Sequence, residues 1–225
     1  MKAITLTGLF FVLLFGCTEN ETVITTPELE INARYKLTFN ATWSVQTHPN
    51  EFPASAHFSG LIGMAHNGNA VLFTNGEIAS DGIKNMAETG NKNSLEAEIQ
   101  NLITNETAST LISGGGIGSS PGEVSLEFDV IVSHTRISIV SMLAPSPDWF
   151  IAVTNINLIE NNEWVTSKTI NVDIYDSGTD DGVTFLSPDE PTDPRAPIFE
   201  INTPPLAVNN VVAALGSITF TKIEQ

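Results

Sequence analysis

Two segments about thirty residues apart carry the carboxylates best placed to act together. They are Pro145-Ser146-Pro147-Asp148-Trp149 and Tyr175-Asp176-Ser177-Gly178-Thr179-Asp180-Asp181-Gly182. Their proline, glycine and serine content favours turns, so several oxygens can converge without a helix or strand fixing their directions. A hard cation such as calcium asks for that arrangement, because it takes about six to eight oxygens from carboxylates, carbonyls and water in a flexible cage. The spacing is not that of an EF-hand loop: the twelfth position counted from Asp176 is Ser187, not a bidentate glutamate. Two carboxylates about 4.5 Å apart repel by roughly 4 kcal/mol at an effective dielectric of about 20. Three held together without a cation would have to protonate or spread. Aspartates that cap turns and face water would leave the same pattern, and the spacing does not choose Asp180 over Asp181.

Other residues offer less. His48, His57, His66 and His134 fall on different expected elements with no paired spacing such as His-Glu-x-x-His, so hydrogen bonds to turns and sheet edges are their expected role, ahead of zinc. No nucleophile elbow is expected, and Cys17, the single cysteine, belongs to an export signal. The stretch 113–122, with Gly114-Gly115-Gly116, reads as a flexible loop, because no Gly-Lys-Ser/Thr ending follows to make it a phosphate cradle. Trp43, Trp149 and Trp164 could form an aromatic ligand patch, but Trp43 and Trp149 continue alternating strands and are expected in the core.

The elements that must position these residues are mostly strands. Tyr35, Leu37, Phe39, Ala41 and Trp43 alternate with polar residues, as do Val124, Leu126, Phe128, Val130 and Val132, two half-buried strands. Residues 57–73 hold short apolar runs broken by glycines, and 137–142, 149–158, 168–175, 198–202 and 216–223 are further strands. Two short helices interrupt them. The first spans 80–90, with Ser80 or Asp81 as N-cap, Ile83, Met86 and Ala87 on one face, and Gly90 as the stop. In the second, Asn93 and Glu96 have capping-box spacing and Leu95, Ile99 and Leu102 form the apolar stripe. Many short strands with turns between them predict an all-β fold, an antiparallel β-sandwich of C2 or immunoglobulin-like type with two short helices in a connection.

Several motifs in a fixed order then carry a resemblance. They are Tyr35-Lys36-Leu37-Thr38-Phe39, Trp43-Ser44, Thr47-His48-Pro49, His57-Phe58-Ser59, Ala65-His66-Asn67, Ala79-Ser80-Asp81-Gly82, Ser133-His134 and the two Asp-bearing segments. In these the chain resembles the spondin N-terminal domain family, the F-spondin and mindin type. The resemblance implies a β-sandwich that binds one calcium ion, with Asp148, Asp176 and Asp180 as metal ligands and Asp181 as their neighbour. It also implies adhesion or extracellular recognition rather than catalysis, with an extracellular-matrix or cell-surface protein or glycan as partner. The family's cysteines are absent, Ile159 standing where a relative would have a disulfide partner.

The start of the chain reads as an address. Met1-Lys2 precedes an apolar run over 9–15, and Leu14-Phe15-Gly16-Cys17 resembles the lipobox at which bacterial lipoprotein signals are cut and the cysteine acylated. The expected organisation is a signal peptide over 1–16, a lipid-attached tether over 17–30 that begins with lipidated Cys17, and a spondin-type domain over 31–225. That predicts an exported bacterial outer membrane lipoprotein, at the cell surface or the periplasmic face, whose membrane contact is the lipid alone. Nine basic residues against twenty-six acidic ones give a net charge of -17, and residues 160–200 hold ten acidic side chains against two basic ones. Nucleic acid and other polyanions would be repelled. Two alternatives fit the same features: a surface or periplasmic hydrolase acting on a polymer, and a structural subunit of a surface complex.

Overall fold

In the computed structural model, which describes residues 29–209 and 211–224, the alternation of the first strand becomes a one-sided ribbon. The strand β1 (Asn32–Ala41) turns Ala33, Tyr35, Leu37, Phe39 and Ala41 inward and Lys36, Thr38 and Asn40 away from the core. The expected signal peptide, Cys17 and all but the last two residues of the tether lie outside the described residues. The chain continues through β2 (His57–Phe58), β3 (Ile62–His66), α1 (Asp81–Thr89), α2 (Asn93–Thr104), β4 (Ala108–Ser113), β5 (Gly122–Ile131), β6 (Arg136–Ala144) and β7 (Trp149–Asn157). There follow β8 (Ile159–Glu160), β9 (Glu163–Trp164), β10 (Ser167–Asn171), β11 (Asp173–Asp176), β12 (Phe199–Glu200), β13 (Ala207–Val208), β14 (Val211–Val212) and β15 (Gly216–Ile223).

Two antiparallel sheets face each other. The smaller has the order β10-β15-β1-β5, and the larger runs β12-β11-β7-β6-β3-β4 with β2 also on β6. Between them lies the main core, in which Leu37, Phe39 and Phe220 of the small sheet meet the apolar layer of Ile137, Ile139, Ile151, Val153 and Ile174 of the large one. The expected β-sandwich is present. Its large sheet is buried on both faces, because α1 and α2, inserted between β3 and β4, roof the outer side. There Ile83, Met86, Leu95 and Ile99 pack with Ile62, Met64, Val140 and Phe150. Burying side chains of this size contributes about 1.5–3 kcal/mol each, so Met86→Asp is the kind of single change that would lift α1 from the sheet.

Helix α1 starts and stops where its caps dictate. The Ser80 hydroxyl accepts from Ile83 N–H, and Gly90 closes the helix at φ +70°. Glu98 of α2 adds a tether: its carboxylate accepts from the Gly82 N–H and the Ser80 hydroxyl, both at 2.7 Å, beside the positive end of the α1 dipole. Helix α2 lacks the expected capping box. Asn91 Oδ1 accepts from Asn93 N–H instead, and Glu96 accepts from Ser113 Oγ, tying the helix to β4.

The expected single strand over 168–175 is two strands. The chain leaves the small sheet after β10, hands the Val172 N–H to Gly216 O, and joins the large sheet as β11. This corner sets Asp176 opposite Trp149 in the β11–β7 ladder, so the two Asp-bearing segments emerge side by side at one end of the sandwich.

Candidate metal centre

Asp148 precedes β7 in a tight turn that Ser146 closes by accepting from Trp149 N–H. Asp176 ends β11, and Asp180 lies in the loop beyond it. All three are buried, Asp148 fully. The carboxylate of Asp148 is used unevenly. Its Oδ2 accepts from Ser177 Oγ at 2.9 Å, Thr179 N–H at 2.7 Å, Asp180 N–H at 3.1 Å and Thr179 Oγ1 at 3.3 Å. Its Oδ1 is buried and has no partner; among the described residues only Trp43 Nε1 shares that condition.

The other two carboxylates organise their own loops. Asp176 accepts from Gly178 N–H on Oδ1 and from the Trp149 indole N–H on Oδ2. Gly178 can make this turn because it lacks a side chain: its φ is +70°, and a Cβ there would meet Ala196 O at 2.2 Å. Asp180 accepts from Gly182 N–H on Oδ1 and from Glu190 N–H on Oδ2. Asp181 turns away, exposed, and accepts from the Thr192 hydroxyl. The two neighbours that sequence spacing could not separate differ in burial and bonding: Asp180 is buried and its N–H donates to Asp148 Oδ2, whereas Asp181 is exposed and closes an outer turn.

The family model described as Spondin_N matches residues 33–211, a span that includes the whole of this constellation. The chain belongs to the spondin N-terminal domain family. Among its relatives are spondin-2 of Rattus norvegicus, 29% identical over 206 residues, and spondin-2 of Homo sapiens, 31% identical over 175 residues. Spondin-1 of Xenopus laevis is 36% identical over 174 residues. The matches cover 86%, 76% and 72% of this chain but 62%, 53% and 21% of those proteins, so less than two thirds of each relative is represented.

Among the described residues, none of the three aspartates at this end of the spondin domain is held in an ion pair. Burial, and then the charges of Asp148 and Asp180, push the Asp176 carboxyl up to about 7 despite its two hydrogen bonds. Burial also raises Asp148, with its donors pulling the other way. The donor set is all oxygen, which suits a hard cation, and the unpartnered Oδ1 of Asp148 is an orphaned buried acceptor of the sort a cation would satisfy. Among the described residues no three acidic, histidine or cysteine side chains close on one point as a ready-made cage. A bound cation would have to take the remainder of its shell from carbonyls and water.

The remaining chemistry-bearing residues are placed elsewhere. His48 bonds Ala213 O, His57 bonds Ser55 O, and His134 bonds Glu106 O, each fastening a turn or edge. His66 accepts from Gly68 N–H on Nδ1, so its proton sits on Nε2, facing Ser138 Oγ at 2.9 Å. That tautomer cannot activate the serine as a base. One motif is easily passed over in the sequence: Gly118-Ser119-Ser120-Pro121-Gly122 spells Gly-x-Ser-x-Gly, although no elbow was expected. It leads into β5 rather than a helix, and Ser120 donates to Trp43 O at 2.8 Å from a buried position, so it is no nucleophile elbow. All three tryptophans are buried, which removes the aromatic surface patch, and Trp164 donates to Glu30 O.

Proposed function

We propose that this chain is an exported extracellular recognition or adhesion module in which Asp148, Asp176 and Asp180 hold one calcium ion. The observation that carries the reading is the division of labour on Asp148: four donors on Oδ2, none on a buried Oδ1. Leaving a buried acceptor unsatisfied costs about 1–3 kcal/mol, more for a charged group, and a cation at Oδ1 removes that cost. When bound, the ion supplies positive charge and links the turn before β7 to the loop after β11. The chain's own part is to aim Oδ1 through Ser177 and Thr179 and to hold Asp176 through Trp149 and Gly178. The acids are buried rather than set in a substrate cleft, which supports binding over hydrolysis.

The spondin relatives support an extracellular setting, with a matrix or cell-surface protein or glycan as partner. The acidic surface disfavours sulfated polysaccharides. Attachment through a lipid on Cys17, at the outer membrane, completes the proposal; among the described residues no helix is long and apolar enough to cross a membrane. Isothermal titration with calcium tests the site. The expected dissociation constant is on the order of 10⁻⁴ to 10⁻³ M, as in extracellular modules, with the heat lost in Asp176→Ala. Equal heats from the two proteins would sink the assignment.

A further inference from the structure

The loop that follows Asp180 presents an apolar tip that nothing in the fold uses. Val183 and Leu186 are 71% and 77% exposed, while Phe185 between them is buried, its ring 5.5 Å from Trp43 and 5.4 Å from Trp149. Such side chains usually stand on the surface singly. Here Leu186, with Thr184 and Phe185, borders a cavity of about 430 Å³ whose other wall is Val45, Pro49, Glu51 and Phe52 of a second loop. Val45 is itself half-exposed.

The tip is held in shape before any partner arrives. Asp180 fastens both ends of its loop by accepting from Gly182 and Glu190 N–H. Asp181 N–H donates to Glu190 O, and Ser187 Oγ accepts from both Val183 and Thr184 N–H. With Phe185 locked in the core, the aliphatic groups point outward at little cost in conformational entropy on binding. The surroundings carry one sign of charge. Glu51, Asp181, Asp189 and Glu190 are exposed around the tip, and neither 44–53 nor 181–193 contains a lysine or arginine.

We infer that the surface formed by Val45, Phe52 and Leu186 is a docking site for a protein partner that offers an apolar ridge flanked by basic residues. Charge complementarity selects that occupant. An apolar anchor inside an acidic rim attracts and orients a basic-rimmed apolar surface and repels anionic lipid headgroups and sulfated glycans. The inference rests on the reading of the domain as an extracellular recognition module and specifies the chemistry of its partner.

The test uses as probe an amphipathic helical peptide with leucine on one face and lysine on the other. A peptide with serine in place of every leucine, and vesicles of phosphatidylcholine with phosphatidylserine, serve as comparison arms. The peptide is titrated into isotopically labelled protein and amide shifts are followed. The expected result is saturable binding with shifts confined to 44–53 and 181–190. Affinity should fall about tenfold or more for the serine peptide and for Leu186→Ser or Val45→Ser, and should be unchanged for Val71→Ser, an exposed aliphatic elsewhere. Equal affinity for the two peptides, insensitivity to Leu186→Ser, no binding, or vesicle binding that requires Leu186 would each overturn the proposal. Calcium titration of the same samples keeps the two readings apart: normal calcium heats with a failed peptide arm refute the docking surface alone.

Discussion

The indole N–H of Trp149 donates to Asp176 Oδ2 at 3.1 Å across the register pair that joins β7 to β11. One residue thus ties the turn bearing Asp148 to the strand end bearing Asp176, while its ring packs on Phe185 beneath the next loop. Trp149→Phe removes the donor and keeps most of the apolar volume. It is expected to cost about 1–2 kcal/mol of stability and to weaken calcium binding several-fold. Urea unfolding and calorimetric titration of the variant check both effects, and an unchanged calcium affinity would separate Trp149 from the site.

Gly178 makes the turn that lets Asp176 accept from its N–H. At φ +70°, with Ala196 O only 2.2 Å from where a Cβ would stand, Gly178→Ala forces the backbone to shift. A loss of about 2 kcal/mol or more is expected, since strain and clash add. Gly76 is the control: it also has positive φ, at +90°, but nothing lies within 4 Å of its absent Cβ. Gly76→Ala should therefore cost about 1 kcal/mol, from conformation alone. Chemical denaturation of the two variants beside wild type reads both losses.

Glu98 predicts an effect confined to the helical roof. Its carboxylate satisfies the Gly82 N–H and the Ser80 hydroxyl at the start of α1. Glu98→Ala should lower stability by about 1–2 kcal/mol, comparable to loss of an N-cap, and leave calcium affinity unchanged. Thermal unfolding with and without calcium separates the two effects.

Alternation and capping were legible where one face of an element is wet. The strand β1, the strand β5, β15 over Gly216–Ile223 and the helix Asp81–Thr89 with its Ser80 and Gly90 ends all lie where periodicity and cap residues place them. Two-sided burial erased the period in β6 and β7, whose runs Ile137–Ile139–Val140 and Phe150–Ile151–Ala152 are buried on both faces, so the roofing role of the helices left no sequence mark. The edge strand β4 was missed because Ala108-Ser109-Thr110 offers little apolar contrast. The sheet change at Val172 is silent as well, since inward residues continue at every second position from Ile170 through Val172 to Ile174 while the partner strand changes. Sequence marked the two Asp segments as neighbours in function, and only the folded corner shows Asp180 turned inward and Asp181 turned out.

His66 sets a pH dependence whose direction follows from its burial. Desolvation first, then the charges of Arg136 and His134, lower it from 6.5 to about 4. The unfolded chain therefore binds a proton in this window that the folded protein refuses. The contribution of neutral His66 is complete above pH 6.5 and is lost as the pH falls toward 4, up to about 3 kcal/mol in all. Comparing wild type with His66→Gln isolates it from Asp176, whose raised carboxyl acts in the opposite sense. The difference between the two proteins should shrink on acidification from about pH 7 to about pH 4, and a constant difference would rule out the histidine as its source.

The calcium site stands or falls with the unpartnered oxygen of Asp148. A ligand that binds only the folded state at about a hundredfold over its dissociation constant stabilises it by about 2.7 kcal/mol. The direct measurement is the unfolding free energy of wild type and Asp148→Asn, each with chelator and with calcium at that excess. Calcium should stabilise wild type by that amount and Asp148→Asn hardly at all. An equal gain in both proteins, or none in wild type, would contradict a cation held at Asp148.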